Sequence, residues 1–451
     1  MVKQSVRLCL HSSCNATLVA CSISRTAVQA GCIPHQICLY QKQHSWRRCM
    51  AQPFAGIRVV DFTQVLAGPY ATYQMALLGA EVIKVEHPNG GDQGRGLLTP
   101  TPESAAAGMS ALASAVNSGK RSLSLDLKHE ASQAIVDRLV ERADVLVENF
   151  KAGTMGKLGF GQERLRALNP RLVYCSISGY GQSGPRSHAA AYDPVIQAAS
   201  GIMSVTGYPE TGPTKVGFWM CDMTTGMNAA FAIASALYRR AHTGQGDYVD
   251  VSMLDTAVSL MSPMAGLPLN YDVDPQISGN GAPGTGGPSS VFSTADGTVT
   301  VAAVTPTQFV AMVHEIGRGD LAEDERFATS EARFAHADEY RRLMLEAFAN
   351  DIAENWEIRL NAAGVPASKN KQVRELRDDA QLIHREMFQP LPPPPGITGD
   401  FHAVNLGFKL SYDGPGVAEP PPTVGQHNDD ILGELSFSED AIASFKTSGA
   451  I

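Results

Sequence analysis

The residues Ile57 to Phe62, IRVVDF, form a short β-branched run that predicts a strand. Ala67-Gly68-Pro69 breaks it, and a helical pattern follows to about Leu78, where Gly79 ends it. Glu81 to Glu86, EVIKVE, is a second strand pattern. Strand, helix and strand in this order predict a βαβ unit and hence a parallel sheet at the core. The rhythm continues with a helix over about 129–142, a strand from Asp144 to Val147, and a helix around 161–168 before Asn169-Pro170. Leu172 to Ile177 is the next strand, followed by a glycine-rich turn from Gly179 to Pro185. An alanine-rich stretch predicts a helix over about 224–241, and Asp247 to Ser252 predicts another strand.

The pattern changes from about residue 262. Residues 278–288, SGNGAPGTGGP, carry five glycines and no bulky side chain, and a strand pattern follows near Val299 to Ala302. Residues 305–387 read as mostly helical and charged, which predicts a smaller domain. Two proline clusters, Pro390 to Pro395 and Pro420 to Pro422, predict extended connectors that cannot be helical. Asn428-Asp429-Asp430 starts a final short helix, with acids in its first turn. No internal repeat is visible.

Composition narrows the function classes. With 451 residues, 44% hydrophobic and 18% charged, the chain can bury a large core without disulfides or metals. Its net charge of −9 and lack of a long basic stretch argue against a nucleic-acid partner. An anionic ligand would instead need local basic residues. No apolar run approaches the roughly 18 residues of a membrane span, so a soluble protein is expected.

Residues 1–49 differ from the rest. They hold six of the eight cysteines, six of the 36 basic residues and none of the 45 acids, which leaves the remainder at −15. The segment reads either as an organellar transit peptide, implying a mitochondrial location, or as an upstream extension outside the fold, with Met50 the start and a cytoplasmic location. Only Cys175 and Cys221 lie in the body, which fits a reducing compartment.

Several familiar motifs fail. A βαβ opening invites a dinucleotide, and Glu86 ends the second strand where a ribose-binding acid would stand. The first turn, however, is TQVLAGP, with one glycine and a proline, and pyrophosphate cannot approach such a backbone closely. Gly181-Gln182-Ser183-Gly184-Pro185 has proline where a nucleophile elbow needs its last glycine, and reads as a plain turn. The 12 histidines show no H-E-x-x-H spacing and the cysteines no C-x-x-C, so no metal site is expected.

Six blocks, in order, resemble the family III CoA-transferases, a group with formyl-CoA and carnitine CoA-transferases and, as relatives, the α-methylacyl-CoA racemases. They are VVDFTQVLAGPYATYQMALLGAEVIKVEHPNGGD, NSGKRSLSLDLK (117–128), ADVLVENFKAGTMGKLGF (143–160), NPRLVYCSISGYGQSGP (169–185), VGFWMCDMTTGMNAAFAIASALYRRAHTGQGDYVDVSM (216–253) and PTVGQHNDDIL (422–432). The likeness covers about 57–436. It implies an α/β fold with a Rossmann-like large domain built on a parallel sheet, a smaller α+β domain, and an interlocked homodimer. The large domain would comprise 50–253 with the C-terminal segment 400–451, and the small domain 265–390. The activity implied is transfer of coenzyme A from an acyl-CoA donor to a carboxylic acid, with CoA as a substrate and no permanently bound cofactor.

Such exchange must conserve the thioester's energy while the acyl group changes. A carboxylate can do so by attacking the thioester to give a reactive mixed anhydride. It is a weak nucleophile, so positioning must supply much of the rate, on the order of 7–11 kcal/mol in favourable cases. Asp222, in MCDMTTGM, aligns with the family's nucleophilic aspartate. Read locally it is also a good helix N-cap; the roles are compatible, because a helix N-terminus favours the ionised acid. Trp219, Met220 and Met223 beside it suit an apolar acyl pocket or simply the core.

The oxyanion needs donors, and the stretch Gly279 to Gly287, with Gly286 and Gly287, resembles the family's mobile glycine-rich loop. It departs from an unbroken run at Ala282, Pro283 and Thr285, and also reads as a flexible linker. The resemblance maps CoA contacts to Val65, Leu66, Ala67, His87, Leu125, Asn149, Phe150 and Lys157. Phe150 suits stacking on adenine or core packing; Lys157 suits a phosphate or solvent. His87 stands where one branch has arginine and is a pH-dependent phosphate partner.

The racemase relatives place a histidine before an acid in G-H-D, where this chain has Ala191-Tyr192-Asp193. A tyrosine, with an unperturbed pKa of about 10, is a poor base for an α-proton. Tyr192 therefore favours transferase over racemase, with Tyr192 and Asp193 in supporting roles or in a plain strand-to-helix turn.

Overall fold

The structure, a computed structural model, describes residues 52–281 and 290–451. Six strands make one sheet: β1 (Arg58–Asp61), β2 (Glu81–Glu86), β3 (Arg121–Ser124), β4 (Val145–Glu148), β5 (Val173–Ser178) and β6 (Asp247–Ser252). Their spatial order is 3-2-1-4-5-6 and every neighbouring pair is parallel. The order reverses between β1 and β4. In open α/β sheets, ligands bind at such a reversal, beyond the carboxyl ends of the strands.

Strand periodicity divides the side chains between two cores. Val59, Val82, Val145, Val147, Val173, Cys175 and Val251 face helices α1 (Ala67–Leu77) and α4 (Met220–Thr243). Val60, Phe62, Ile83, Val85, Leu123, Leu146 and Tyr174 face α2 (Ser132–Glu141) and the C-terminal helices Asn428–Glu434 and Glu439–Ser448. The C-terminal segment is tied to the sheet edge, where Ser122 N–H donates to His427 Nδ1 at 3.0 Å and Ser124 N–H to Asn428 Oδ1 at 2.9 Å. Between β5 and α4 lies α3 (Asp193–Ala199), and after β6 come α5 (Met253–Leu260) and α6 (Ser262–Tyr271).

The helix at Asn428 is not the final one, since Glu439–Ser448 follows it, and β3 was not among the strands expected, but the elements read from hydrophobic runs recur with small changes of boundary. The largest concerns α4, which begins a turn earlier than the alanine-rich stretch and ends where Gly244 takes a left-handed φ of 74°. Pro390, expected in a connector, lies in the strand Phe388–Leu391, which pairs antiparallel with Phe401–Val404. Residues around 291–369 have a core of their own, with Phe292 stacked on Phe348 at 4.7 Å and Trp356 donating to the Phe348 carbonyl at 2.8 Å. No helix among the described residues is long and apolar enough to cross a membrane.

Candidate active site

A crossover helix of a parallel sheet runs against its strands, so α1 and α4 both begin at the carboxyl edge. They are in close contact there. A Cβ on Gly226 would lie 2.6 Å from the Ala67 carbonyl oxygen, so only glycine lets α4 approach the first turn of α1. Asp222 is four residues before Gly226 and on the same face of α4. This puts Asp222 one helical turn before the meeting point of the two helices, at the carboxyl edge of the sheet.

Asp222 does not cap its own helix. The N-cap position is Trp219, and Asp222 sits within the first turn. The cap comes from α3. Asp193, buried at 2% exposure, accepts from Cys221 N–H at 2.7 Å and Asp222 N–H at 3.2 Å through one oxygen. Its other oxygen accepts from Gln197 Nε2 at 2.6 Å, and Gln197 Oε1 holds Val216 N–H at 2.8 Å. A buried glutamine and aspartate from α3 thereby fix the approach to α4 and its first turn.

The same arrangement opposes the ionisation expected of Asp222. A helix N-terminus favours an ionised acid. Here burial, and then the negative charge of Asp193, raise the Asp222 carboxyl from 3.8 to about 7. Among the described residues no cation pairs with it. Asp222 is thus a half-buried acid poised between its two forms at neutral pH. A nucleophile or general base needs its pKa near the operating pH for just this reason.

The other positions named from sequence are distributed along one edge. Val65, Leu66 and Ala67 follow β1, His87 follows β2, Leu125 follows β3, and Asn149 and Phe150 follow β4. His87 is exposed; its Nδ1 accepts from Asn89 N–H at 3.1 Å and its Nε2 lies 3.9 Å from Asp126. Leu125 buries its side chain in the second core, so a ligand meets only its main chain. Phe150 packs half-buried against that core, and Lys157, which ends the helix Thr154–Lys157, is exposed.

Asn149 turns its amide inward: Oδ1 accepts from Gln64 N–H and Nδ2 donates to the Gln64 carbonyl, both at 2.8 Å. Tyr192 is 65% exposed at the head of α3. Trp219 is also exposed, while Met220 and Met223 are half-buried, each against a different core cluster. Gly286 and Gly287 lie outside the described residues. Glu86, the apparent ribose acid, is consumed by structure: buried, it binds Arg95 at 2.6 and 2.7 Å. Gly181 and Gly184, with φ of 84° and 91°, make the turn expected of them.

Beneath this edge lies a group that the sequence pattern did not single out. Asp61 and Lys84 are opposite each other in the β1–β2 ladder and on the face covered by α1. Lys120 Nζ reaches Asp61 at 3.0 Å, Thr72 Oγ1 at 2.8 Å and the Pro69 carbonyl at 2.9 Å. Lys84 Nζ pairs with Asp92 at 2.9 Å. Burial opposes ionisation of Asp61, but Lys120, Lys84 and the hydroxyls of Thr63 and Thr72 outweigh it and hold its pKa at about 2. The available signal was a charged residue inside each of two strands of a fully covered sheet, VVDF and EVIKVE. Such charges must be paired.

Comparison with known proteins agrees with these features. Residues 54–428 match the family model of CoA-transferase family III. A succinate–glutarate CoA-transferase of Agrobacterium fabrum is 36% identical over 392 residues, covering 86% of this chain and 96% of that protein. A formyl-CoA:oxalate CoA-transferase of Streptomyces coelicolor is 35% identical, covering 89% of this chain and 100% of its own. The crystal structure of a CAIB/BAIF family protein from Brucella suis superposes with a TM-score of 0.77 at 34% identity, over 86% of this chain and all of that one.

Proposed function

This chain belongs to CoA-transferase family III and is a CoA-transferase acting on acyl-CoA and carboxylate; from that premise we propose that Asp222 is the nucleophile and carries the CoA group in transit. One Asp222 oxygen attacks the thioester carbonyl carbon, the C–S bond breaks, and CoA leaves as the thiolate, giving a mixed anhydride. The thiolate then attacks the Asp222 carbonyl carbon, the C–O bond to the donor acyl group breaks, and the donor acid departs. The acceptor carboxylate attacks the resulting aspartyl thioester and expels the thiolate. That thiolate attacks the acceptor's acyl carbon, releasing the new acyl-CoA and the free Asp222 carboxylate. No net proton is consumed, and no bound cofactor is required.

The observation that carries this reading is Asp222 itself, half-buried at the carboxyl edge of the sheet, without a cation partner among the described residues and raised to about 7. Such an acid loses little to a salt bridge on becoming an acyl anhydride. The exposure of Tyr192, where a racemase would keep its histidine, also favours transfer over epimerisation. We further infer that CoA runs along Val65–Ala67, His87, the main chain at Leu125, Phe150 and Lys157.

The interlocked homodimer and a division into a large domain (50–253 with 400–451) and a small one (265–390) belong to the same reading. Support for the dimer comes from the outer face of α4, where Met227, Phe231 and Tyr238 are exposed, and from α6, which buries none of its residues. Exposed apolar faces of this extent mark interaction surfaces. The two free, buried thiols Cys175 and Cys221 suit a reducing compartment such as the cytoplasm.

Incubation with acyl-CoA followed by hydroxylamine tests the nucleophile. Acyl-CoA-dependent inactivation, with a hydroxamate on the peptide containing Asp222, is expected. An adduct on another side chain would overturn the assignment. Deuterium entering the acyl α-carbon without CoA exchange would replace transfer by racemisation.

A further inference from the structure

The β1–α1 turn is held in a conformation its residues would not choose. Val65 has φ of 67°, a region that β-branched residues seldom enter because Cβ crowds the carbonyl oxygen. Strain of this kind survives only where the surroundings over-determine it. Here three side chains from outside the turn bond its main chain in succession. Lys84 Nζ donates to the Thr63 carbonyl at 2.8 Å. Asn149 takes both main-chain groups of Gln64. Asp92 Oδ1 accepts from Val65 N–H and from Gly94 N–H, each at 2.8 Å.

Lys84 and Asp92 are themselves joined at 2.9 Å, with side-chain exposures of 0% and 3%. Asp92 is anchored in turn, its N–H donating to Glu86 at 3.0 Å. The turn is also sterically closed: a Cβ at Gly68 would fall 2.4 Å from Thr63 Cβ. Asn149 reaches Gln64 from the end of β4, across the point where strand order reverses. It therefore ties together the two loops that flank the ligand crevice.

We propose that Lys84, Asp92 and Asn149 are positioning residues that keep the β1–α1 turn as a preformed main-chain seat for coenzyme A. The proposal rests on the reading above that Val65–Ala67 meet CoA. None of the three needs to touch the ligand. Their work is to remove the cost of ordering the turn at each binding event, which is how preorganisation raises affinity. With the clamp released, Val65 relaxes to negative φ and the seat must be rebuilt for every turnover. Loss therefore appears in CoA affinity and in KM for acyl-CoA more than in kcat.

The test measures CoA affinity by calorimetry, and KM and kcat by transfer assay, on the full chain. Asn149→Ala removes two bonds from a half-buried site and is expected to weaken CoA about tenfold, leaving KM for the acceptor acid in place. Asp92→Ser, which also frees a buried lysine, is expected to weaken CoA further. Adding Val65→Gly to Asp92→Ser should recover part of that loss, because glycine takes positive φ without strain; a general structural defect would not be rescued locally. If Asp92→Ser does not fold, Asn149→Ala decides alone. A folded Asn149→Ala protein with wild-type CoA affinity overturns the clamp while leaving the transferase reading intact. A folded Asp92→Ser protein that Val65→Gly does not improve also overturns it. A wild-type protein that neither binds nor transfers CoA removes the underlying reading and the clamp together.

Discussion

Asp61 and Asp222 are the same residue type at the same edge of one sheet, and their surroundings drive them apart. Asp61 ends β1 with no exposed surface, yet Lys120 and Lys84 and two threonine hydroxyls hold it ionised down to about 2. Asp222 is less buried, but burial is joined there by the negative charge of another aspartate, Asp193, and its carboxyl rises to about 7. Depth of burial does not separate the two; the sign of the neighbouring charge does. Where environments push like groups to opposite extremes, the ionised and satisfied one is scaffold and the poised one is free for chemistry. Asp61 fixes the floor under α1, and Asp222 has no cation partner among the described residues.

Removing each acid should break the molecule differently. Asp222→Ala is expected to cut CoA transfer by on the order of 10⁴-fold or more, since a covalent nucleophile has no substitute. Its thermal unfolding should stay at or above that of the wild type, because a poorly solvated charge has gone. Comparable activity in the variant would end the assignment. Asp61→Asn should do the reverse to stability. It leaves Lys120 buried without its counter-charge, a change of about 3–5 kcal/mol, read as an earlier denaturant midpoint. An unchanged midpoint would show that the Lys120–Asp61 pair carries none of the floor.

The pH responses should likewise have opposite signs. Asp61 binds protons more weakly folded than unfolded, so its stabilisation is complete above the unfolded value of 3.8 and is lost as pH falls toward about 2. Asp222 binds them more tightly folded, so stability is lost as pH rises from about 4 through about 7. Glu148, raised to about 7 chiefly by burial and further by Asp250, adds to that decline. Activity moves the other way, with kcat/KM rising through about pH 7 as Asp222 ionises. Asp193→Asn should shift that limb to lower pH while costing about 1 kcal/mol of capping. A limb that stays in place would detach Asp193 from the titration of Asp222.

The smallest effect serves as the control. Arg342 and Glu346 form a shorter ion pair, 2.6 Å against 3.0 Å for Lys120–Asp61, but on an exposed helix face. Arg342→Ala should change stability by about 0.5 kcal/mol or less. A loss as large as that of Asp61→Asn would refute burial as the reason for the contrast.

Five of the six strands were legible as short runs rich in β-branched residues between breakers; β3, RSLS, was not, because it holds a single apolar residue. The proposed nucleophile came from resemblance, as one acid in MCDMTTGM. Its cap was not, because Asp193 and Gln197 come from another helix and nothing around residue 222 announces them. The start of α4 was missed for the same reason: its first amides are satisfied from α3. The inward turn of Asn149 and the burial of Leu125 were also hidden, since a position at a strand end does not reveal where its side chain points.

By itself, then, the sequence determined five of the six strands and the helices beside them, the parallel sheet, the changed character of the segment after about 262, and the acid to examine. These follow from spacing and side-chain type, which are local properties. Only tertiary structure decided which carboxylate is paired and which is left poised. Ionisation depends on the charges and water within a few ångströms, and here those charges come from β2, the loop after it, the start of β3 and α3, brought together by folding.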